Sequence, residues 1–178
     1  NIQRTGSFKI RGAYNKIYNS IKNDKPAGIL AWSSGNHAQG VAEAANIFNI
    51  KSTIVMPKDA PQNKINGTKS RKANIVFYNR KTENREEIGN SIARKNNLLI
   101  IPPYDDPDVI AGQGTIGLEI IEQISKYDLF PDKVLVPTGG GGLIAGIATA
   151  IKNKFNNTNI YSIEPNKFAD YSKSIKNK

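Results

Sequence analysis

Six short apolar segments recur along the chain, and a helical pattern separates each from the next. The apolar segments are rich in Ile, Val and Leu and lie at about 29–32, 52–56, 74–78, 98–101, 133–136 and 160–163. The helical segments lie at about 37–48, 61–72, 82–96, 112–127 and 142–154. Strands followed regularly by helices predict parallel sheets covered on both faces. The sequence therefore predicts an α/β fold whose ligands lie beyond the carboxyl ends of the strands.

The stretch 133–151 reads KVLVPTGGGGLIAGIATAI and most constrains what the chain binds. A strand breaks at Pro137, an apolar helix follows, and between them stand four consecutive glycines: Gly139, Gly140, Gly141 and Gly142. Glycine leaves backbone N–H groups uncovered, here at the positive end of the helix dipole. A flexible linker would have polar flanks instead. The stretch predicts a binding seat for a phosphate.

Two further loops with a glycine stand beside predicted helix starts, Thr-Gly-Ser-Phe-Lys at 5–9 and Ser-Ser-Gly-Asn-His at 33–37. The second offers hydroxyls, an amide, an imidazole and N–H groups, which suit a carboxylate. An ordinary helix cap explains the same residues equally well. Lys9 lies between Phe8 and Ile10, and burial among apolar residues would lower its pKa and favour Schiff-base chemistry. The three loops together suggest one cleft for an anionic ligand.

The first residues, 1–12, are polar and contain glycine, and an amphipathic helix follows them to about Ile21, with Ser7 as its expected cap. Further along, Gly112–Gly117 matches the dinucleotide pattern G-x-G-x-x-G. Pro107 and a helical segment precede it, however, where a strand is required. We expect these glycines to allow close helix packing. The proline pair at 102–103 predicts a domain boundary.

Composition limits the class of protein. The chain has 178 residues and no cysteine, so it carries neither a disulfide nor a cysteine-based metal site. No apolar run approaches the roughly 20 residues that span a bilayer, and no leader opens the chain, which predicts a soluble, cytoplasmic protein with no membrane partner. The formal charge is +10, but lysines alternate with asparagines along the chain, so we expect no general nucleic-acid binding.

Five motifs occur in a fixed order: TGSFKIRGA around Lys9, SSGNHAQGVA from Ser33, MPKDAPQNKI from Met56, DDPDVIAGQGTIGLEI from Asp105, and the four glycines. In this order they resemble the pyridoxal-phosphate-dependent threonine and serine dehydratases and their relative serine racemase. The resemblance covers nearly the whole chain. Cysteine synthases and threonine synthases, which are sister branches, usually place an acidic residue where this chain has Ile10.

The resemblance implies a tryptophan-synthase-beta-like fold, the fold type II of these enzymes, with two three-layer α/β/α domains and mostly parallel sheets. Relatives carry a strand-rich segment before the lysine loop and a long portion after the last motif. The chain is therefore expected to be a fragment. It would hold a complete smaller domain at 28–105 and a partial larger domain at 1–27 and 106–178.

The resemblance also implies roles for individual residues. Lys9 would hold the pyridoxal 5'-phosphate and then take the Cα proton, while Phe8 would pack against the cofactor ring. Asn36 would hydrogen-bond the ring hydroxyl, and the four glycines would donate N–H groups to the phosphate. The substrate carboxylate would be held by Ser33, Ser34, Gly35 and His37. Ser34 would face the side of the substrate opposite Lys9.

The implied reaction is deamination of a small hydroxy-amino acid, L-threonine and also L-serine, to a 2-oxo acid and ammonia. The full-length parent is expected to be a homo-oligomer, dimer or tetramer. Two alternatives stay open. One is serine racemase, in which Ser34 would be the second acid/base, and the other is a non-catalytic basic binding module that keeps the fold.

A divalent-cation loop of a relative resembles residues 164–170. There the carboxylates of Glu164 and Asp170 would join the backbone carbonyl of Phe168, and such oxygen ligands suit Mg²⁺ or Ca²⁺. A solvated acidic loop explains these residues equally well.

Overall fold

The predicted alternation of strands and helices is present along the chain and forms two units, 1–102 and 103–178. The computed structural model describes residues 2–23 and 26–177. Asn1, Asp24, Lys25 and Lys178 lie outside the described residues, together with the parts of the predicted opening segment and domains that fall on them. The α/β class with parallel sheets is confirmed.

The first unit is built on a four-stranded parallel sheet. Its elements are α1 (Lys9–Asn23), β1 (Gly28–Trp32), α2 (Asn36–Ile47), β2 (Ser52–Pro57), α3 (Gln62–Lys69), β3 (Asn74–Tyr78), α4 (Arg85–Asn96) and β4 (Leu98–Ile100). The strand order is β3-β2-β1-β4, so β1 is hydrogen-bonded on both sides. Because the strands are parallel, the loops that follow β1 and its neighbours all lie at the carboxyl edge of the sheet.

Alternate side chains of β1 face opposite layers of helices. Ile29 and Ala31 are fully buried in a cluster with residues of α1, α2 and α3. Leu30 is fully buried in a second cluster that includes Ala93 of α4. Burying such a side chain contributes about 1.5–3 kcal/mol. The first unit therefore has three layers, helix, sheet and helix.

The first helix begins earlier than predicted. It starts at Lys9, and Gly12 lies buried inside it rather than before it. Ile10, Ala13 and Ile17 are buried at helical spacing, so tertiary packing extends the helix through a residue of low helix propensity. The predicted cap is wrong, because the Ser7 hydroxyl is buried and has no hydrogen-bond partner among the described residues.

The second unit pairs two parallel strands with helices. Its elements are α5 (Pro107–Ser125), β5 (Lys133–Pro137), α6 (Gly142–Lys154), β6 (Asn159–Ile163), a 3-10 turn (Asn166–Phe168) and α7 (Asp170–Lys176). Helix α5 starts five residues before the predicted position, because Asp106 caps it with bonds from the N–H groups of Asp108 and Val109 at 3.0 and 3.1 Å. Helix α7 was not predicted.

The glycines of the 112–117 pattern lie in the middle of α5 and serve helix packing, as predicted. A Cβ on Gly114 would lie 3.0 Å from the Gly146 carbonyl oxygen, and a Cβ on Gly117 would lie 2.8 Å from the Ala150 Cβ. Helix α6 therefore approaches α5 at backbone distance. A nucleotide loop is excluded here, since no strand precedes the glycines.

The unit boundary falls between Pro102 and Pro103, inside the predicted proline pair. Helix α1 packs against α2 and thus belongs by its contacts to the first unit. The assignment of 1–27 to a larger domain stays a prediction. Within 2–23 and 26–177, no helix combines the length and apolar character that crossing a bilayer requires.

Replacing Gly146 by alanine should destabilise the second unit. The new Cβ would lie 2.9 Å from the Gly114 Cα and would clash with the Ile110 carbonyl, so α5 and α6 must separate. Overpacking of this kind costs about 1–3 kcal/mol of unfolding free energy. Urea denaturation measures it, with Thr149→Ala on the exposed face of α6 as the control. A Gly146→Ala protein as stable as the control would contradict the close packing.

Candidate active site

Lys9 is the first residue of α1 and is partly buried. Burial lowers the pKa of its ammonium, because removal from water disfavours the charged form. The Nζ atom lies 5.3 Å from the centroid of the Phe8 ring. A larger share of unprotonated amine at neutral pH makes this lysine suited to attack a carbonyl or to accept a proton.

The loop 33–37 follows β1 at the carboxyl end of the sheet. The Ser33 N–H donates to the Val55 carbonyl at 3.1 Å, and the Ser33 hydroxyl accepts from the Gly35 N–H at 3.2 Å. Gly35 is the N-cap of α2 and makes no side-chain capping bond. Both interpretations of this loop, a carboxylate seat and an ordinary helix cap, stay predictions.

The start of α2 presents backbone donors. Its first turn closes with a bond from the Gln39 N–H to the Gly35 carbonyl at 3.4 Å. The N–H groups of residues 36–38 precede this bond and have no acceptor inside the helix. A would-be Cβ on Gly35 meets nothing within 4 Å. Three donors at a positive helix end, with space beside them, can hold a carboxylate.

Asn36 and Ser34 stand at the rim of this loop. The Asn36 amide oxygen accepts a bond from the Lys64 ammonium at 3.4 Å, and its side chain is exposed. Ser34 is half-buried. The hydrogen bond from Asn36 to a cofactor hydroxyl and the contact of Ser34 with the substrate stay predictions.

His37 is buried, with 4% of its surface exposed. Its Nε2 lies 2.9 Å from the Ile101 carbonyl oxygen, so Nε2 carries the hydrogen and donates it. The pKa of the imidazole is lowered to about 4, mainly by burial; the bond to Ile101 raises it and the nearby Lys9 charge lowers it. The ring is neutral at physiological pH and fastens α2 to the end of β4. A role for the ring in holding substrate stays a prediction.

The four glycines form the turn into α6. Gly141 is the N-cap of the helix in the left-handed conformation, with φ of 87°. The first helical bond runs from the Ala145 N–H to the Gly141 carbonyl at 2.9 Å, so the N–H groups of residues 142–144 precede it. A would-be Cβ on Gly139 meets nothing within 4 Å. This geometry suits a phosphate.

Two tyrosines that the sequence analysis missed pack against the glycine turn. A Cβ on Gly140 would clash with the Tyr104 ring, and a Cβ on Gly141 would lie 2.9 Å from Tyr171 Cε2. Glycine is therefore required at both positions for packing, and at Gly141 for backbone conformation as well. The sequence holds no signal for these contacts, since they depend on tertiary packing.

Glu164 holds the start of α7, the helix that carries Tyr171. Its carboxylate accepts bonds from the N–H groups of Tyr171 and Ser172 at 2.8 and 2.9 Å and from the Ser172 hydroxyl at 2.6 Å. These donors, the Ser172 hydroxyl first, lower the pKa of Glu164.

The predicted Mg²⁺ or Ca²⁺ site at Glu164, Phe168 and Asp170 finds no support. Both Glu164 oxygens are engaged, and the Asp170 carboxylate lies 3.7 Å from the Lys173 ammonium. Phe168 is exposed. Over the part of the chain that is described, no group of three or more His, Cys, Asp or Glu residues could hold a metal ion.

The structure thus brings some predicted residues together. Lys9 and His37 lie close enough within the first unit for the lysine charge to act on the imidazole. The glycine turn belongs to the second unit. Its convergence with Lys9 on one cleft stays a prediction.

The buried imidazole predicts a pH-dependent stability. The unfolded chain has a histidine pKa near 6.5 and the folded chain about 4, so between these values only the unfolded state takes up a proton. The free energy of unfolding should therefore fall by roughly 3 kcal/mol as pH drops from about 6.5 to 4. His37→Gln keeps a donor for Ile101 and removes the titration. Denaturation curves at several pH values should show a shallower pH slope for this variant, and equal slopes would contradict the burial of a neutral ring.

Comparison with known proteins adds independent information. A family model described as "Pyridoxal-phosphate dependent enzyme" matches residues 1–178. The chain is 50% identical over 153 residues to the catabolic L-threonine dehydratase TdcB of Escherichia coli K12, covering 86% of this chain and 45% of that protein. It is 43% identical over 176 residues to L-threo-3-hydroxyaspartate ammonia-lyase of Saccharomyces cerevisiae, covering 99% and 53%. The structure of maize serine racemase aligns with a TM-score of 0.90 at 35% identity, covering 97% of this chain and 51% of that one.

The chain spans about half the length of these curated relatives. The resemblance drawn from the ordered motifs is confirmed. The parallel sheets match fold type II of the pyridoxal-phosphate-dependent enzymes. Because the family model covers the chain from end to end, this protein belongs to the family of pyridoxal-phosphate-dependent enzymes.

Proposed function

We propose that the protein containing this chain is a pyridoxal-phosphate-dependent ammonia-lyase that deaminates L-threonine, and also L-serine, to the 2-oxo acid. The observation that carries the proposal is Lys9, an amine of lowered pKa at the head of a helix, in a chain 50% identical to a threonine dehydratase. The 43% identity to the hydroxyaspartate ammonia-lyase supports the same type of reaction, on a substrate that has a different side chain.

The residues present fit the cofactor. Lys9 offers an amine, and the glycine turn offers N–H groups at a helix start, with open space beside Gly139 and the rings of Tyr104 and Tyr171 packed on the glycines that follow. The Ser7 hydroxyl, two positions before Lys9, is buried without a partner among the described residues, which costs about 1–3 kcal/mol unless a bound group satisfies it. When bound, pyridoxal phosphate acts as an electron sink for a carbanion at the substrate Cα.

The chain's own groups would supply binding and proton transfer. The N–H groups at the start of α2 would hold the substrate carboxylate by dipole and hydrogen bond, since His37 is neutral and contributes no charge. Lys9 Nζ would accept the Cα proton. The β-hydroxyl then leaves with a proton as water, and hydrolysis of the released enamine gives the 2-oxo acid and ammonia.

Adding pyridoxal phosphate should produce the visible absorbance of a lysine-attached cofactor. Lys9→Ala should abolish it, because no other amine is expected at the site, while Lys51→Ala, at an exposed lysine, should not change it. Spectrophotometric titration of the three proteins measures this. Equal absorbance in Lys9→Ala would remove Lys9 from the proposal.

Product analysis with the same proteins tests the substrate. We expect 2-oxobutyrate from L-threonine and pyruvate from L-serine in the parent protein and in Lys51→Ala, and neither in Lys9→Ala. Oxaloacetate from L-threo-3-hydroxyaspartate, with no product from threonine, would overturn the threonine assignment and favour the yeast relative's substrate.

The second candidate is a serine racemase, favoured by the structural alignment with the maize enzyme. A racemase needs a proton donor on the face of the substrate opposite Lys9, the role that resemblance gives to Ser34. If the protein racemises, Ser34→Ala should abolish D-serine formation and spare pyruvate formation from L-serine. Chiral chromatography of L-serine incubations measures both, and loss of both products together would refute this division of roles.

A further inference from the structure

Helix α2 lies against the backbone of Lys9 at one residue, Gly40. A Cβ built on Gly40 would lie 3.0 Å from the Lys9 carbonyl carbon, 3.0 Å from the Ile10 nitrogen and 3.2 Å from the Lys9 carbonyl oxygen. Real Cβ atoms rarely come so close to backbone, and backbone cannot swing aside as a flexible side chain can. The missing side chain at Gly40 therefore allows this contact.

Glu43, three residues further along α2, forms a second tie to the segment before Lys9. Its carboxylate lies 3.1 Å from Arg4 Nε and 3.3 Å from Arg71 Nε, and the Glu43 side chain is only 14% exposed. Arg4 precedes Lys9 by five residues, so the pair restrains the chain that leads into α1. The Arg4 side chain is 70% exposed, so its pair with Glu43 is largely solvated and contributes little to stability, whereas Arg71, at 20% exposed, is the better buried partner.

His37, Gly40 and Glu43 follow one another at intervals of three along α2, which places them along one side of the helix. His37 bonds the end of the sheet at Ile101, Gly40 touches the Lys9 backbone, and Glu43 bonds Arg4. These three residues thus connect α2 to the sheet, to Lys9 and to the segment that precedes Lys9. The start of the same helix carries the N–H donors proposed for the carboxylate.

We propose that Gly40 is a positioning residue: its lack of a side chain sets the distance between Lys9 and the N-terminus of α2. The proposal rests on the function proposed above for Lys9 and deepens it. The amine and the helix N–H donors must face two parts of one small substrate, the Cα and its carboxylate, so their separation is fixed within narrow limits.

An added methyl at Gly40 would move the Lys9 backbone by a few tenths of an ångström. Pushing α1 away from α2 would bury the amine less deeply and weaken the desolvation that lowers the Lys9 pKa. Alanine favours a helix more than glycine does, so α2 itself should form at least as well. The effect should therefore be local to Lys9.

The test compares Gly40→Ala with the parent protein by the pH dependence of Lys9 acylation with acetic anhydride, read by peptide mass spectrometry. The midpoint for Lys9 should move to higher pH, and its labelling rate at neutral pH should fall severalfold relative to the exposed Lys51. Affinity for pyridoxal phosphate, measured by the visible absorbance, should fall severalfold as well.

Gly67→Ala is the matched control. It makes the same change in helix α3, where the atoms met are the far ends of the flexible Gln39 and Arg71 side chains. It should leave the Lys9 midpoint unchanged. An unchanged midpoint and cofactor affinity in Gly40→Ala would overturn the proposal. A Gly40→Ala protein that fails to fold while Gly67→Ala folds would also overturn the proposal, because the expected effect is local to Lys9.

The outcome is separable from the proposed function. Acylation needs no cofactor and reports on Lys9 even if the reaction assigned above is wrong. If Lys9→Ala kept the cofactor absorbance, the proposed function would be contradicted, but the Gly40 measurement would stay valid.

Discussion

The first unit depends on the hydrogen bonding of its central strand. β1 pairs with β2 on one side and β4 on the other, and its side chains fill both helix layers. Parallel pairing brings the carboxyl ends of neighbouring strands to the same edge, and from that edge the loop 33–37 leads directly into α2. The helix start, its N–H donors and its contact with Lys9 therefore all inherit their positions from the sheet.

Electrostatics in this unit favour uncharged bases beside fixed dipoles. Both Lys9 and His37 are shifted toward their neutral forms by burial, and the Lys9 charge further disfavours protonation of His37. A neutral imidazole costs little to bury when its N–H has an acceptor, here the Ile101 carbonyl. Attraction for an anion then falls to backbone dipoles at helix starts, which occur in both units.

The sequence predicted the features that local chemistry determines. Apolar runs gave the strands, and the order of strand, glycines and helix gave the turn before α6. The pattern at 112–117 was rejected as a nucleotide loop because its context lacked a strand, and the helix found there agrees.

Features that depend on tertiary contact were not predicted. The helix was predicted to begin after Gly12, because the sequence does not show the packing that buries this glycine inside α1. Ser7 was predicted to cap this helix and does not. The contacts of Gly40 with Lys9 and of Tyr104 with Gly140 join residues far apart in the chain. Helix α7 is too short to show a periodic pattern.

The packing of Tyr104 on the glycine turn also limits how this protein can diverge. A side chain at position 140 would overlap the aromatic ring, so such a change becomes tolerable only after position 104 has become smaller. Substitution at position 140 is blocked while Tyr104 keeps its ring, whereas position 104 can change first. The two positions thus form an epistatic pair, in which the order of substitutions decides whether an intermediate survives.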